Sequence, residues 1–205
     1  MPSVGDSSVL LWVASACIAL LGARTFFEYL RRVRFEGPLR MWRELLLGSL
    51  ALTAALWSAM VIDIGAQGLV FAVGYHPGKV FGTFLLGTAA MAGVVTLATL
   101  RPVWWHRLVA AMIAALVALV VQVGVIWSVG AEPGLTWRAE SLVFALLLHG
   151  VGMAFAGHLV TSARRGSHAD RPSRRLLAAL VLGACAVAAQ ELAIASSGLD
   201  HQVVS

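Results

Sequence analysis

Charged residues are scarce in this chain. Asp, Glu, Lys and Arg make up 12% of its 205 residues and hydrophobic residues make up 60%, whereas a soluble domain has a charged fraction of about 25%. A soluble domain of this length has too small an interior to bury so much apolar side chain. The composition therefore excludes a soluble protein and predicts a polytopic membrane protein.

Cysteine and lysine are also rare. The two cysteines, Cys17 and Cys185, lie in apolar stretches, so we expect neither a disulfide nor a metal thiolate. The sequence has no glycine-rich phosphate loop, no histidine cluster at metal-ligand spacing and no nucleophile–base arrangement. We therefore expect a protein that is not an enzyme and has no catalytic residues.

Six apolar segments are long enough to cross a bilayer. A helix needs about 20 apolar residues to do so, and runs of this length are not barrel strands. The predicted fold is all-α, a six-helix membrane bundle that forms one transmembrane domain over residues 1–205. The predicted spans are 8–23, 45–65, 80–100, 108–129, 142–161 and 176–194.

The basic residues lie on alternate connecting segments. Thirteen of the 15 follow the first, third or fifth span, and only Lys79 and Arg138 lie on the other side. The positive-inside rule then places both termini outside the cytoplasm, in the cytoplasmic (inner) membrane of a bacterium. The net charge of +5 is explained by this topology, so we expect lipids and other membrane subunits as partners, and no nucleic acid. The basic stretch 24–43 is expected to extend the first span as an interfacial helix against anionic lipid.

The second, fourth and sixth spans have similar sequences. Each begins with an arginine, continues through small and aliphatic residues and ends in a short polar interruption, with Met60, Gln122 and Gln190 at equivalent positions. The chain is therefore interpreted as three helix pairs, each joined by a basic turn. Repeats that share one orientation are related by an axis along the membrane normal. If the even-numbered helices line the centre, the three polar ends converge there.

The second span carries a family resemblance. From Leu50 to Ile64 a small-residue helix leads into Trp57 and Ser58, and this stretch resembles a bacterial MHYT domain. That sensor family is named for a Met-His-Tyr-Thr string near the outer ends of three membrane helices. The resemblance covers most of the chain in architecture. The family's usual seventh span and signalling domain have no counterpart in these residues.

The family's metal motif is replaced in this chain. Ala59-Met60, Val121-Gln122 and Ala189-Gln190 occupy the positions of Met-His, and Glu191-Leu192 follows where the family has Tyr-Thr. Family members are thought to bind copper through those side chains and to sense oxygen, CO or NO. Amides do not suit copper, so the resemblance implies the family's scaffold with no cofactor.

Polar groups inside a membrane are candidate functional residues. The ligand- or ion-binding candidates are Met60, Asp63, Gln122, Gln190 and Glu191. Two interpretations are open. The glutamines fasten helices together, or Asp63 and Glu191 face an outer cavity and bind a cation, a proton or a small polar ligand.

His149 and Met153 are weak metal-ligand candidates. They are four residues apart and share one face of the fifth span, whereas His158 lies on the opposite face. A b-type haem needs a second histidine from another span, and no other predicted span contains one. We therefore expect His149 to be hydrogen-bonded within the bundle, or to extend its ring toward the interface, rather than to be a haem ligand.

Three functions are compatible with these features. The first is a degenerate MHYT-like sensor or ligand-binding scaffold that signals to a partner through its basic loops. The second is a non-catalytic accessory or assembly subunit of a larger, respiratory-type membrane complex. The third is a small transporter that uses Asp63 and Glu191, although no predicted span is broken near the midplane, as the spans of transporters often are.

Overall fold

A computed structural model describes residues 4–33, 38–67, 74–100, 103–129, 137–162 and 172–198. All the regular structure in these ranges is helical, and each of the six helices is long and apolar enough to span a membrane. The helices are α1 (Val4–Arg32), α2 (Pro38–Ala66), α3 (Pro77–Leu100), α4 (Trp104–Ser128), α5 (Ala139–Ser162) and α6 (Pro172–Ser197). The predicted all-α, six-span fold is confirmed.

The helices extend beyond the predicted apolar segments, mostly at their basic ends. Hydropathy marks where a span meets water, but backbone hydrogen bonding continues through charged residues whose long side chains reach the interface. Proline is the first residue of α2, α3 and α6. A proline is favoured at that position because the missing N–H has no partner within the helix there and the fixed φ is already helical.

The six helices form a closed ring of three hairpins. The closest packing is within the pairs α1–α2, α3–α4 and α5–α6, and each pair also packs on the next. The most apolar stretches of α2, α4 and α6 are 50%, 61% and 56% buried, compared with 28%, 33% and 28% for α1, α3 and α5. The even-numbered helices therefore line the centre of the bundle. This is the arrangement in which the polar ends of the three repeats can converge.

A glycine on the outer helix allows close packing within each hairpin. A Cβ added at Gly22 would overlap the Cβ of Ala55, and one added at Gly87 would overlap the side chain of Val121. In the third hairpin a Cβ at Gly152 would lie 2.8 Å from the Cβ of Cys185. Small residues let membrane helices approach closely and gain van der Waals contact. The same kind of glycine contact thus recurs in each of the three repeated hairpins.

The arginine-rich end of the bundle is where the odd-numbered helices end and the even-numbered helices begin. Glu28 of α1 accepts a hydrogen bond of 2.9 Å from Arg175 of α6. Phe26 and Phe27 are 5% and 4% exposed and belong to the main hydrophobic core. The first part of the predicted interfacial helix, up to Arg32, is therefore a continuation of α1. It packs against the bundle, because the rings of Phe26 and Phe27 are buried in the core.

The opposite end of the bundle holds the links between hairpins. The backbone N–H of His76 donates to the carbonyl of Ser128 at 2.9 Å, and the backbone N–H of Arg138 donates to the carbonyl of Ser196 at 2.9 Å. Each bond satisfies a carbonyl in the last turn of a helix, where no intrahelical partner is available. The segments that precede α3 and α5 are thus tied to the ends of α4 and α6 in the same way.

Candidate functional site

Polar side chains are buried in the half of the bundle farther from the arginine-rich end. Five of them come from five helices and are no more than 1% exposed: Ser15, Asp63, Gln122, His149 and Gln190. Polar groups are tolerated in such a site when they hydrogen-bond to one another. They form two groups of hydrogen-bonded residues.

The first group is the Asp63 cluster, formed by Ser15, Asp63 and Gln190. The Gln190 side-chain amide donates to Oδ2 of Asp63 and to the Ser15 hydroxyl at 3.2 Å. The Ser15 hydroxyl donates to the carbonyl of Ala59 at 3.1 Å. One glutamine therefore joins α6 to both α1 and α2.

Two acceptor atoms of this cluster have no hydrogen-bond partner in the part of the chain that the structure describes. Oδ1 of Asp63 and Oε1 of Gln190 are buried and accept no hydrogen bond from the residues that the structure describes. A buried acceptor without a donor is costly. The cluster is therefore able to accept hydrogen bonds or coordinate a positive charge.

A second carboxylate lies beside the Asp63 cluster. Glu191 accepts a hydrogen bond of 2.7 Å from the indole N–H of Trp12 and is close enough to Asp63 for its charge to act on that carboxyl. The structure thus brings together three of the residues singled out in the sequence, Asp63, Gln190 and Glu191.

The second polar group is the pair formed by Gln122 and His149. Nε2 of His149 lies 2.9 Å from Oε1 of Gln122, and the Gln122 amide nitrogen donates to the carbonyl of Ala186 at 3.5 Å. Because the Gln122 oxygen accepts, Nε2 of His149 carries the proton. Nδ1 of His149 is buried without a described partner.

Met60 lies in an apolar environment. It is fully buried in a cluster with aliphatic residues of α2, α4 and α6, namely Ile64, Val125, Ile126, Ala193 and Ile194. Gln122 contacts Ala186, one helical turn from Gln190, and Met60 packs with Val125 and Ala193, each three residues beyond one of the two glutamines. The three equivalent positions therefore lie within about one helical turn of one another in the centre of the bundle.

These positions do not fit copper. Two of them, Gln122 and Gln190, present amides, which are poor ligands for copper, and the Met60 thioether is packed among aliphatic side chains. Within the described part of the chain, no group of three or more His, Cys, Asp or Glu side chains is arranged to hold a metal ion. His149 bonds to Gln122, and Met153 packs a turn away against the main core.

Sequence reasoning missed Ser15 and Trp12 as neighbours of the predicted residues, as well as the pairing of His149 with Gln122. Ser15 is a single hydroxyl in a stretch of small residues, and nothing in that pattern sets it apart from a solvent-facing or lipid-facing serine. Trp12 resembles any interfacial tryptophan. Their roles depend on which helices are neighbours.

No family model, curated protein or solved structure matches this chain. Its class therefore rests on the fold. The six apolar helices define a multi-pass integral membrane protein, and its distinguishing feature is a set of buried polar groups shared by the helix pairs.

Proposed function

We propose that this chain is a non-enzymatic membrane protein that binds a proton or a small cation at the Asp63 cluster, as a ligand-binding or sensor scaffold. The observation that supports the proposal is the carboxyl group of Asp63. It is 1% exposed, and one of its oxygens has no partner among the described residues. The groups that act on it are Ser15, Gln190 and Glu191, none of which is positively charged.

The electrostatics favour a bound positive charge. An ionised carboxylate is expensive to bury unless it is paired, and a nearby second carboxylate adds repulsion that a low-dielectric interior screens weakly. A proton or cation held between Asp63 and Glu191 removes both costs. Oε1 of Gln190 and Oδ1 of Asp63 are oxygen ligands of the kind that hard cations prefer.

Occupancy of the site is coupled to helix packing in this proposal. The Gln190 amide that bonds to Asp63 also bonds to Ser15, so a change of charge on Asp63 alters a contact shared by α1, α2 and α6. A ligand that favours one arrangement of these helices shifts the population toward it. This coupling is what a sensor requires.

The proposal includes the kinship and the orientation expected from the sequence. An MHYT-like scaffold that has exchanged its copper ligands for amides and carboxylates is consistent with the three convergent positions. The arginine-rich end faces the cytoplasm of a bacterium by the positive-inside rule, which leaves both termini and the Asp63 cluster toward the opposite surface.

The test is the thermal stability of the purified full chain in mild detergent, measured against pH and against sodium, potassium and lithium concentration. A ligand at 100 times its Kd stabilises the folded state by about 2.7 kcal/mol. We expect Asp63→Asn to abolish the dependence on cation and the part of the pH dependence that comes from this cluster, and Glu191→Gln to weaken both. Glu140→Gln is the control, because Glu140 is an exposed carboxylate at the beginning of α5.

Two results would overturn the proposal. One is an Asp63→Asn variant whose melting temperature responds to pH and cations as strongly as that of the unmodified protein. The other is an equal loss of response in Glu140→Gln, which would indicate a general effect of surface charge.

A further inference from the structure

A cavity lies in the other half of the bundle, away from the Asp63 cluster. It has a volume of about 280 Å³ and is lined by α1, α3, α4 and α5 near the arginine-rich end. Its apolar lining includes Phe26, Met91, Val94, Ala114, Met153 and Gly157. The volume is near the lower limit of about 300 Å³ for small-molecule pockets. We call it the basic-end cavity.

The basic-end cavity opens toward the membrane. Trp104 and Leu108 of α4 belong to its lining and are 72% and 48% exposed. In a membrane protein such exposed apolar side chains face lipid, and a tryptophan at the end of a span lies at the level of the head groups. The cavity is therefore accessible from the bilayer.

A positive charge lies in the wall of this cavity. Arg107 of α4 lines it, and the Nε of Arg107 is buried without a hydrogen-bond partner among the described residues. Glu28 and Glu44 are the described carboxylates at this end. Other arginines pair with both: Arg31 and Arg175 with Glu28, Arg32 and Arg43 with Glu44.

An apolar cavity with a cation in its wall complements an anionic amphiphile. Guanidinium binds phosphate through two parallel hydrogen bonds, and the apolar lining binds alkyl chain by excluding water. The small volume suits part of one chain rather than two. We propose that the basic-end cavity binds one acyl chain of an anionic phospholipid from the surrounding bilayer, with its phosphate on Arg107.

The experiment is native mass spectrometry of the full chain, delipidated in mild detergent and then titrated with phosphatidylglycerol or with phosphatidylcholine of the same acyl chains. The unmodified protein is expected to retain one phosphatidylglycerol, bound about tenfold more tightly than phosphatidylcholine. The expected difference comes from the net charge of the head group, since the chains are matched.

One variant tests the apolar lining of the cavity and another tests its positive charge. Gly157→Leu fills the cavity, because a Cβ added there meets no atom within 4 Å, and it should lower the affinity for both lipids by at least about tenfold. Gly93→Leu is its control. A Cβ added at Gly93 also meets no atom within 4 Å, but Gly93 is exposed outside the cavity.

Arg107→Gln should remove the preference for phosphatidylglycerol, because it should weaken the binding of this lipid more than that of phosphatidylcholine, whose phosphate charge is offset by its own ammonium group. Arg174→Gln is its control, because Arg174 is exposed at the same end of the bundle and loses the same charge. The proposal is wrong if the unmodified protein binds both lipids equally. It is also wrong if Gly157→Leu behaves like Gly93→Leu, or if the two arginine variants lose the preference equally; these results would indicate only a general lipid shell.

Discussion

Gln122 of α4 and His149 of α5 are hydrogen-bonded at 2.9 Å in the centre of the bundle, where both side chains are fully buried. The same Gln122 reaches the backbone of α6 at Ala186, so it links its own hairpin to the next. Gln190 of α6 makes the corresponding link to the first hairpin. The two glutamines that align in the sequence therefore perform equivalent structural tasks.

The third junction between hairpins is apolar. Met60 of α2 packs with Val125 of α4, and the ring of Trp57 contacts that of Phe84 of α3 edge-on, with centroids 6.5 Å apart. The repeat thus uses amides at two junctions and a thioether with aromatic rings at the third. This difference gives the bundle a polar side and an apolar side around its central axis.

Replacement of Gln122 by leucine should destabilise the protein by about 1–3 kcal/mol, because the buried Nε2–H of His149 loses its acceptor. The double variant Gln122→Leu/His149→Leu should lose less than the sum of the two single variants, since it leaves no orphaned donor. Interhelical hydrogen bonds in membranes show coupling energies of about 0.6 kcal/mol on average. Unfolding by SDS in mixed micelles measures each variant, and strict additivity would contradict the pairing.

Replacement of Gly22 by alanine should destabilise the first hairpin by about 1–3 kcal/mol, a typical cost of overpacking, because the new Cβ would overlap that of Ala55. Gly93→Ala is the matched control. Its new Cβ meets no atom within 4 Å, and alanine favours a helix by about 1 kcal/mol over glycine. The melting temperature of Gly93→Ala should therefore equal or exceed that of the unmodified protein, and the melting temperature of Gly22→Ala should be lower. The opposite ranking would refute the close contact between α1 and α2.

Tyr75 should titrate abnormally. It lies in the segment that precedes α3 and packs against the Met60 cluster, and burial raises the pKa of its phenol above the ordinary value of 10.0. The folded state favours the neutral phenol, so stability is unaffected below pH 10.0 and falls as pH rises from there through the raised pKa. Tyr75→Phe should remove this part of the alkaline decline. Ultraviolet difference titration, compared with this variant, measures the phenol directly, and a normal titration would contradict the packing.

Much of the fold was predictable from local properties of the chain. The apolar runs located six spans, the arginines separated one end of the bundle from the other, and the alignment of Gln122 with Gln190 indicated the hairpin repeat. The spans and the charge asymmetry each depend on hydropathy or charge along a single segment. Lipid imposes them directly, because a spanning segment must be apolar and must satisfy its own backbone. The function as a sensor scaffold or an accessory subunit remains a prediction.

The contacts that make the candidate site depend on how the helices are rotated and how closely they pack. Hydropathy carries no such information, since lipid tails and the bundle interior are similarly apolar. Glycine contacts such as Gly22 against Ala55 fix the positions of the helices. These positions allow the hydrogen bonds of Ser15 with Gln190 and of His149 with Gln122. They also place Arg107 in the wall of a cavity. Amino-acid order was thus sufficient for the number and pairing of the helices. The identity of each buried polar partner was decided by packing between segments far apart in the chain.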